Sequence, residues 1–399
     1  MNQLRVDLLT REYPPEVYGG AGVHLEYLAR ELRRRADVRV HCFGAKRSER
    51  GVTAYPEPVE LIGANAALRT MGVDLAMAAG CAGTDVVHSH TWYANFAGHT
   101  AKLLQGVPHV VTTHSLEPLR PWKAEQLGGG YELSSFCERV AIENADAIIA
   151  VSEGMRRDVL TAYPSVDPDK IKVVYNGIDT LQYYPDHDTA VIERLGIDPK
   201  RPSVVFVGRI TRQKGLPYLM RACHDLPDET QIVLLAGAPD TAEIAAEVEE
   251  LAIQLRAARD PKGVIWVREM LPRDEVVKVL THATVFVCPS IYEPMGIVNL
   301  EAMACETAVV ATATGGIPEV VADGETGLLV PIEQVADGTG APVDPDKFVA
   351  DLAEALTTLL LDPKRAKEMG RAGRRRAVKM FSWSTIAQQT TAVYRSVLI

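Results

Sequence analysis

The sequence lacks the features that mark several classes of protein. Its six cysteines and ten histidines include no CxxC pair and no histidine-rich tract, which argues against a structural zinc site or a disulfide framework. No stretch approaches the roughly 18 consecutive apolar residues that a membrane span needs. Residues 1–10 follow a strand pattern and not that of a signal peptide. We therefore expect a cytoplasmic protein that contacts no membrane.

An excess of positive charge is also missing. The formal net charge is −10, whereas a general nucleic-acid binder needs a basic face to neutralise phosphates. The basic runs Arg33–Arg35 and Arg371–Arg376 lie in helical patterns, where solvated helix faces explain them. No nucleic acid is expected among the partners. The oligomeric state stays open, with a homodimer as one option.

What the chain does contain is a repeated alternation of strand and helix patterns. Its 399 residues are too many for one ordinary core. A strand at Leu4–Leu9, a glycine-rich loop, a helix from about Val23 to Arg35 and a strand at Val38–Cys42 form a βαβ unit, which implies a parallel sheet. The alternation pauses at a turn-rich stretch after Asn176 and restarts near Ser203. The predicted fold class is α/β, with two Rossmann-like, doubly wound parallel-sheet domains facing across a cleft. The domains are predicted over residues 1–177, joined by a C-terminal helix at 382–399, and over residues 190–381.

The stretch Pro289–Glu301 is the most informative motif. It follows an apolar run typical of a buried strand, turns at Gly296 and continues as a helix from Ile297 to Ala304. A strand end, a glycine turn and a helix start form a site for anionic or hydroxyl-rich ligands. Glu293 in the loop and Glu301 in the helix place an acceptor of sugar hydroxyls at each end. Taken alone, a capped helix with a solvated glutamate explains the pattern equally well.

Two further loops follow predicted strands. The loop Gly19–Gly22 lets backbone amides approach an oxyanion at a helix start. It matches neither GxGxxG nor a Walker A loop, so a structural turn is the stronger interpretation of this loop alone. Arg209 and Lys214 follow the strand at Ser203–Val207, where a guanidinium and an ammonium can neutralise a diphosphate without a metal. A solvated basic loop is the alternative, and the expected position in the cleft favours the diphosphate.

Histidines lie at other strand ends. His114 follows the strand pattern at Val107–Thr112, and His88 and His90 end another. A single histidine is more often structural than catalytic, but the strand end, the cleft and the nearby segment Pro118–Lys123 favour a functional role for His114. Some of the other imidazoles are expected only to line the cleft. No set of residues has metal-ligand spacing, and no Ser-His-Asp arrangement is apparent.

Together these motifs resemble the retaining GT-B glycosyltransferases of family 4. The resemblance rests on Glu293-x7-Glu301, Gly208–Gly215, the Gly19–Gly22 loop and the run Thr314–Glu319, which occur in the family's order and spacing over nearly the whole chain. Three longer stretches resemble the actinobacterial branch of that family, which uses ADP-glucose: residues 11–22, 114–123 and 266–272. The Lys-x-Gly-Gly-Leu motif of family-5 bacterial glycogen synthases is absent.

The resemblance implies a reaction and a role for each site residue. A retaining glucosyltransferase of this kind moves glucose from ADP-glucose to glucose 1-phosphate, forming α-maltose 1-phosphate, or to the non-reducing end of an α-1,4-glucan in glycogen biosynthesis. The N-terminal domain would then bind the acceptor and the C-terminal domain the nucleotide sugar. The implied catalytic residues are His114, Arg209, Lys214 and Glu293. The implied donor-binding residues are Gly19, Gly20, Gly22, Arg209, Lys214, Met270, Glu293, Met295, Gly296, Ile297 and Glu301.

The acceptor site is the less defined part. The candidates are Tyr13, Arg120 and Lys123. Arg120 and Lys123 can bind the phosphate of glucose 1-phosphate. The alternative for these two residues is pairing with Glu117 or Glu125 at the surface. No cofactor and no metal is expected, since no Asp-x-Asp metal motif occurs in the expected place.

Three other functions remain to be separated by experiment. They are transfer with another nucleotide sugar and acceptor, nucleotide-sugar epimerisation on the same architecture, and non-catalytic binding of a glucan or nucleotide. A retaining glycosidase pair is rejected, because Arg209 and Lys214 would have no role in it.

Overall fold

The computed structural model describes residues 3–17, 19–120 and 128–398. The chain divides into two compact units, one formed by residues 1–177 with 383–399 and the other by residues 178–382. Within the described ranges, no helix combines the length and the apolar character that a bilayer crossing requires.

The first unit is built on a seven-stranded sheet in which every neighbouring pair is parallel. The strand order is β3-β2-β1-β4-β5-β6-β7. Its strands are β1 (Arg5–Leu9), β2 (Asp37–Phe43), β3 (Val52–Tyr55), β4 (Val86–His90), β5 (His109–Thr113), β6 (Ala147–Ala150) and β7 (Ile171–Val173). Its helices, within the described ranges, are α1 (Gly20–Leu32), α2 (Ala66–Gly80), α3 (Trp92–Gln105), α4 (Gly130–Asn144), α5 (Glu153–Ala162) and α14 (Trp383–Ser396).

The second unit is built on a six-stranded parallel sheet of order β10-β9-β8-β11-β12-β13. Its strands are β8 (Ser203–Arg209), β9 (Gln231–Gly237), β10 (Val264–Val267), β11 (Val285–Cys288), β12 (Ala308–Thr312) and β13 (Gly327–Val330). Its helices are α6 (Ala190–Arg194), α7 (Leu216–Ala222), α8 (Ala242–Ala258), α9 (Arg273–His282), α10 (Ile297–Ala304), α11 (Ile317–Val320), α12 (Pro345–Leu360) and α13 (Pro363–Met380).

Local sequence signals explain where several of these helices begin. The Thr241 hydroxyl accepts a hydrogen bond from the Ile244 amide at the start of α8. Asp344 and Asp362 cap α12 and α13 in the same way, and each is followed by a proline at the first helical position. Such caps satisfy amides that have no partner inside the helix, and proline fixes a helical φ where no N–H is needed.

Hydrophobic runs form the central strands. Every residue of β4, β5, β11 and β12 is buried, as expected for parallel strands covered by helices on both faces. The two-sheet α/β prediction is therefore confirmed. In each sheet the order reverses at one point, between β1 and β4 and between β8 and β11, so the loops that leave these strands are neighbours.

The structure differs from the sequence predictions at two places. Helix α1 begins at Gly20 and ends at Leu32, whereas the sequence pattern predicted a start near Val23. Glycine has a low helix propensity, which hid the first turn. The edge strand β3 was missed, because only one of its four residues is buried and it has no long apolar run.

The C-terminal helix α14 completes the core of the first unit. The Trp383 ring stacks on Tyr27 of α1 with centroids 5.5 Å apart. The Tyr394 hydroxyl lies 2.7 Å from Nδ1 of His88 on β4. Buried aromatic packing of this kind, with a satisfied hydroxyl, fixes the helix on the sheet.

Candidate active site

The segment after β8 forms a tight basic turn. The Lys214 amide donates to the hydroxyl and carbonyl oxygens of Thr211, at 3.3 and 3.1 Å. Gly215 ends the turn with φ +65°, and a Cβ there would lie 2.0 Å from the Pro289 carbonyl oxygen. Only glycine permits this approach. The turn after β8 therefore packs directly against the turn after β11.

The turn after β11 holds Glu293 against a second glycine. Gly315, which follows β12, has φ +54°, and a Cβ there would lie 2.0 Å from the Glu293 carbonyl oxygen. The Gly316 amide donates to that oxygen at 3.0 Å. The backbone of Glu293 is thus fixed from the neighbouring strand, and the residue is only 8% exposed.

Lys214 and Glu293 form an ion pair. Nζ of Lys214 lies 2.7 Å from Oε2 of Glu293, and the Ser290 hydroxyl donates to the same oxygen at 3.2 Å. Burial acts to lower the pKa of Lys214. The charge of Glu293, the electrostatic effect of Cys288 and the hydrogen bond to Glu293 outweigh burial, so the pKa of Lys214 is raised. The lysine is therefore a fixed cation at neutral pH.

Arg209 is held by a carboxylate that the sequence motifs do not predict. Its Nη1 donates to Oδ1 of Asp240 at 2.8 Å, and a third of its side chain stays exposed. Asp240 follows β9, the strand next to β8. Its place beyond the carboxyl end of that strand is the signal that could have identified it.

Glu301 lies on α10 and is paired with a tyrosine. Its Oε1 accepts a hydrogen bond from the Tyr183 hydroxyl at 2.8 Å. Burial raises the pKa of Glu301, and Tyr183, Arg273 and Lys214 oppose that rise. Tyr183 comes from the turn-rich stretch whose sequence is typical of a linker, so nothing in the local pattern marks it.

The start of α10 contains a buried amide. Gly296 precedes the helix with φ +87°, Met295 is 1% exposed and Ile297 is the first helical residue. Both polar side-chain atoms of Asn299 are buried and find no partner within the described ranges. A polar ligand can satisfy such groups. Met270, by contrast, is 83% exposed in the segment after β10.

In the first unit, the segment after β1 is closed by Glu12. Its Oε2 accepts a hydrogen bond from the Gly19 amide at 2.7 Å. A Cβ on Gly22 would lie 2.8 Å from the same carboxylate oxygen. Gly20 and Gly22 therefore belong to the first turn of α1, where the Gly22 amide donates to the Gly19 carbonyl at 3.1 Å.

Three histidines of the first unit lie together. His90 ends β4 and His114 follows β5, and Nδ1 of His90 lies 3.0 Å from Nε2 of His114. His24, on α1, meets His114 edge-on with ring centroids 4.7 Å apart. The three residues are far apart in the chain, so their spacing gave no indication of this cluster.

Burial controls the charge of these rings. Burial lowers the pKa of His90 and His114 well below the ordinary histidine value. It also lowers the pKa of His24 to about 4, and the side chain of Asn176 acts in the opposite direction. The three imidazoles are therefore neutral at pH 7.

The acceptor candidates differ in their surroundings. Nη1 of Arg120 donates to the Ser115 hydroxyl at 3.0 Å and lies 4.0 Å from Oε1 of Glu117. The Arg120 side chain is 17% exposed. Tyr13 is 4% exposed, and its hydroxyl accepts from Arg33 at 3.2 Å. Lys123 lies outside the described residues.

A buried pair of carboxyl groups supports the segment that carries Arg120. The Glu138 Oε1 accepts hydrogen bonds from the Glu117 amide at 2.8 Å and from the Tyr163 hydroxyl at 2.5 Å. Glu117 in turn accepts from the Ser134 hydroxyl at 2.8 Å. Burial, and then the neighbouring Glu117, raise the pKa of Glu138 to about 8. At neutral pH Glu138 is therefore mainly a neutral acid.

The two halves of the chain match two glycosyltransferase family models. Residues 18–182 match Glycosyltransferase Family 4, and residues 188–376 match Glycosyl transferases group 1. Together with the two parallel sheets, these matches show that the chain belongs to the GT-B glycosyltransferases of family 4.

Its relatives narrow the position within that family. The chain is 57% identical to the α-maltose-1-phosphate synthase of Mycolicibacterium smegmatis over 397 residues, which cover 99% of this chain and 100% of the relative. It is 53% identical to the α-maltose-1-phosphate synthase of Mycobacterium tuberculosis with the same coverage. The predicted resemblance to the branch that contains α-maltose-1-phosphate synthases is thereby confirmed.

Solved structures support the fold. Anabaena Alr3699/HepE in complex with UDP-glucose matches with a TM-score of 0.78 at 20% identity, covering 98% of this chain and 100% of that one. The catalytic domain of Starch Synthase IV from Arabidopsis thaliana, bound to ADP and acarbose, matches with a TM-score of 0.76 at 18% identity and full coverage of both chains.

Proposed function

We propose that this enzyme transfers glucose from ADP-glucose to glucose 1-phosphate, with retention of configuration, to form α-maltose 1-phosphate. The observation that carries the proposal is the 57% identity, over almost the whole chain, to an α-maltose-1-phosphate synthase. Extension of an α-1,4-glucan in glycogen biosynthesis is the second acceptor reaction to be tested.

The arrangement around Lys214 supports this chemistry. Departure of the nucleoside diphosphate leaves negative charge on the distal phosphate, and preorganised cations stabilise such charge without reorganisation at the moment of reaction. Lys214 is held by Glu293 at 2.7 Å and Arg209 by Asp240 at 2.8 Å. In our proposal both cations face the diphosphate, so transfer requires no metal.

The carboxylates take the hydroxyl-binding roles. Glu293 accepts hydrogen bonds from the donor hexose and Glu301 from the ribose, while the amides of Met295, Gly296 and Ile297 face the sugar and distal phosphate. Tyr183 positions Glu301 through the 2.8 Å hydrogen bond. His114 contacts the sugar near its 6-hydroxyl. The acceptor attacks the face that the diphosphate leaves, which retains the α configuration.

A donor and acceptor screen tests the proposal. The full chain is incubated with ADP-glucose, UDP-glucose or a GDP-sugar, each with glucose 1-phosphate, with glycogen or with no acceptor. We expect nucleotide release mainly from ADP-glucose with glucose 1-phosphate, and an α-linked product by NMR. The same rate after EDTA treatment is expected for a reaction that needs no metal.

The outcomes separate the alternatives. Conversion of the donor without an acceptor would indicate an epimerase, and binding without turnover would indicate a non-catalytic protein. Release with another nucleotide sugar alone would overturn the ADP-glucose assignment. If Arg120 and Lys123 bind the acceptor phosphate, Arg120→Ala and Lys123→Ala will lose activity with glucose 1-phosphate and keep it with glycogen.

A further inference from the structure

His24, His90 and His114 form a triangle of imidazoles contributed by three separate elements. The ring centroids are 4.7 Å apart for His24 and His114, 5.5 Å for His24 and His90, and 5.3 Å for His90 and His114. One ring nitrogen from each residue lies within 4.8 Å of one nitrogen from each of the others. Zn–N bonds of about 2.0–2.1 Å place three tetrahedrally arranged imidazole rings with centroids about 5 Å apart. The spacing of the triangle therefore suits one ion at its centre after small side-chain rotations.

The cluster contains polar atoms that the protein does not satisfy. Within the described part of the chain, neither ring nitrogen of His24 makes a hydrogen bond of good geometry, nor does Nε2 of His90. The Asn176 side chain lies near enough to His24 to oppose the lowering of its pKa. His24 and His90 are 3% and 0% exposed. Buried polar atoms without partners cost free energy. A bound ion relieves part of that cost, because each neutral ring offers it one nitrogen lone pair.

The neighbouring His88 shows how a structural histidine of this core differs. Its Nδ1 lies 2.7 Å from the Tyr394 hydroxyl and its Nε2 lies 2.7 Å from the Thr112 hydroxyl. Both nitrogens are therefore occupied by the fold. In the triangle, by contrast, Nδ1 of His90 and Nε2 of His114 pair with each other at 3.0 Å, although His88 and His90 lie in the same strand with rings 4.2 Å apart.

We propose that His24, His90 and His114 bind one divalent ion that prefers imidazole ligands, such as Zn²⁺, and that the bound ion blocks glycosyl transfer. Three neutral imidazoles, of which His114 is partly exposed, are a ligand set typical of zinc sites that keep an exchangeable fourth position. The blocking effect rests on the proposed function, in which His114 contacts the donor sugar. An ion held by His114 removes that contact, so the site inhibits and is not part of the reaction.

A second buried group offers a poorer alternative. Asp7, His41 and Cys81 also lie close enough to share an ion. Asp7, however, already binds Arg39 through both carboxylate oxygens, each at 2.6 Å. A metal there would have to displace a guanidinium, so the histidine triangle is the better site.

Direct metal binding to the full chain tests the proposal without reference to activity. The metal-free protein is titrated with Co²⁺, followed by visible absorption, and with Zn²⁺, followed by calorimetry. We expect one equivalent of each ion and a cobalt spectrum of tetrahedral type. His24→Phe keeps a ring beside Trp383, 5.2 Å away in the wild type, but removes a ligand. We expect His24→Phe to weaken Zn²⁺ binding by more than roughly 100-fold. That is the upper end of the loss caused by removing a residue that only hydrogen-bonds to a metal ligand.

The matched control is His187→Ala. His187 and His282 form a more exposed pair in the second unit, with ring centroids 6.0 Å apart, and the variant should bind Zn²⁺ as the wild type does. If His24→Phe fails to fold by circular dichroism, His24→Gln replaces it. Absence of a tetrahedral cobalt spectrum in the wild type, or equal Zn²⁺ affinity in the His24 variant, would overturn the site.

Inhibition is measured separately. Zn²⁺ should suppress transfer at the concentration that saturates the calorimetric site, and EDTA should restore it. Binding without inhibition would overturn the blocking role and leave the site intact. A metal-free enzyme that transfers no glucose at all would instead contradict the proposed function, so the two failures are distinguishable.

Discussion

Nζ of Lys214 lies 2.7 Å from Oε2 of Glu293, although the two residues belong to different βα units. Lys214 follows β8 and Glu293 follows β11, the two strands between which the strand order of the second sheet reverses. At such a point the two loops leave toward opposite faces of the sheet and border a crevice. Topology therefore places both residues at one crevice. The close approach of Gly215 to the Pro289 carbonyl brings the two turns together, and Gly315 packs against the backbone of Glu293.

Removal of the Lys214 charge should abolish most of the transfer. Loss of one preorganised group that stabilises transition-state charge costs about 100- to 1,000-fold in kcat, and we expect Lys214→Gln to fall in that range with its fold intact. Arg212→Gln is the control, because Arg212 lies in the same turn but is 61% exposed and 3.7 Å from Glu247. Steady-state kinetics with saturating donor measure both; undiminished turnover of Lys214→Gln would contradict the role.

Gly215 should tolerate no side chain. Gly215→Ala and Gly324→Ala both place alanine at positive φ, +65° and +73°, which costs about 1–2 kcal/mol. Gly324 has open space around its Cβ position, whereas Gly215 meets the Pro289 carbonyl at 2.0 Å. Urea unfolding should therefore show a further loss of about 1–3 kcal/mol for Gly215→Ala from overpacking. Equal losses in the two variants would show that the turns separate without cost.

The buried carboxylate of Asp7 should make Arg39 important for stability. Arg39 donates to both oxygens of Asp7, which is 0% exposed. Arg39→Ala leaves a buried charge without its partner, so we expect a loss of about 3–5 kcal/mol in the free energy of unfolding. Arg194→Ala removes an ion pair of the same 2.6 Å length in which the arginine is 58% exposed, and should cost less than about 1 kcal/mol. Chemical denaturation compares the two, and a small loss for Arg39→Ala would mean that water reaches Asp7.

Glu138 should make the enzyme less stable as the pH rises. Its folded-state pKa of about 8 lies above the ordinary value of 4.5, so between these values the folded chain holds a proton that the unfolded chain has lost. The free energy of unfolding then falls with rising pH, by at most about 1.4 kcal/mol per unit from this group. Glu138→Gln keeps an oxygen that accepts from Tyr163 and the Glu117 amide but cannot ionise.

The test is the difference between variant and wild type. Glu138→Gln should gain stability relative to the wild type between about pH 5 and pH 8, and the gain should level off above the folded-state pKa. Urea unfolding at several pH values measures it. A difference that does not change with pH would show that Glu138 is ionised throughout this range.

The sequence by itself determined the architecture. Buried strands such as β11 and β12 must be continuous apolar runs, and parallel strands must be joined by crossover helices. Both requirements are visible locally, so the two sheets and almost all of their elements were predictable. The edge strand β3 and the first turn of α1 were not, because half-exposed strands and glycine-rich helix starts lack a distinctive local pattern.

The sequence also marked Arg209, Lys214, Glu293 and Glu301, because each follows or lies near a predicted strand end. It did not reveal their partners. Asp240 and Tyr183 reach Arg209 and Glu301 from distant parts of the chain, and His24, His90 and His114 meet only when α1, β4 and β5 are assembled. Local periodicity reports which face of an element is buried, whereas the contacts of charged and imidazole groups depend on sheet order and close backbone approach. Sheet order and backbone approach, and with them these side-chain contacts, were decided by the tertiary structure alone.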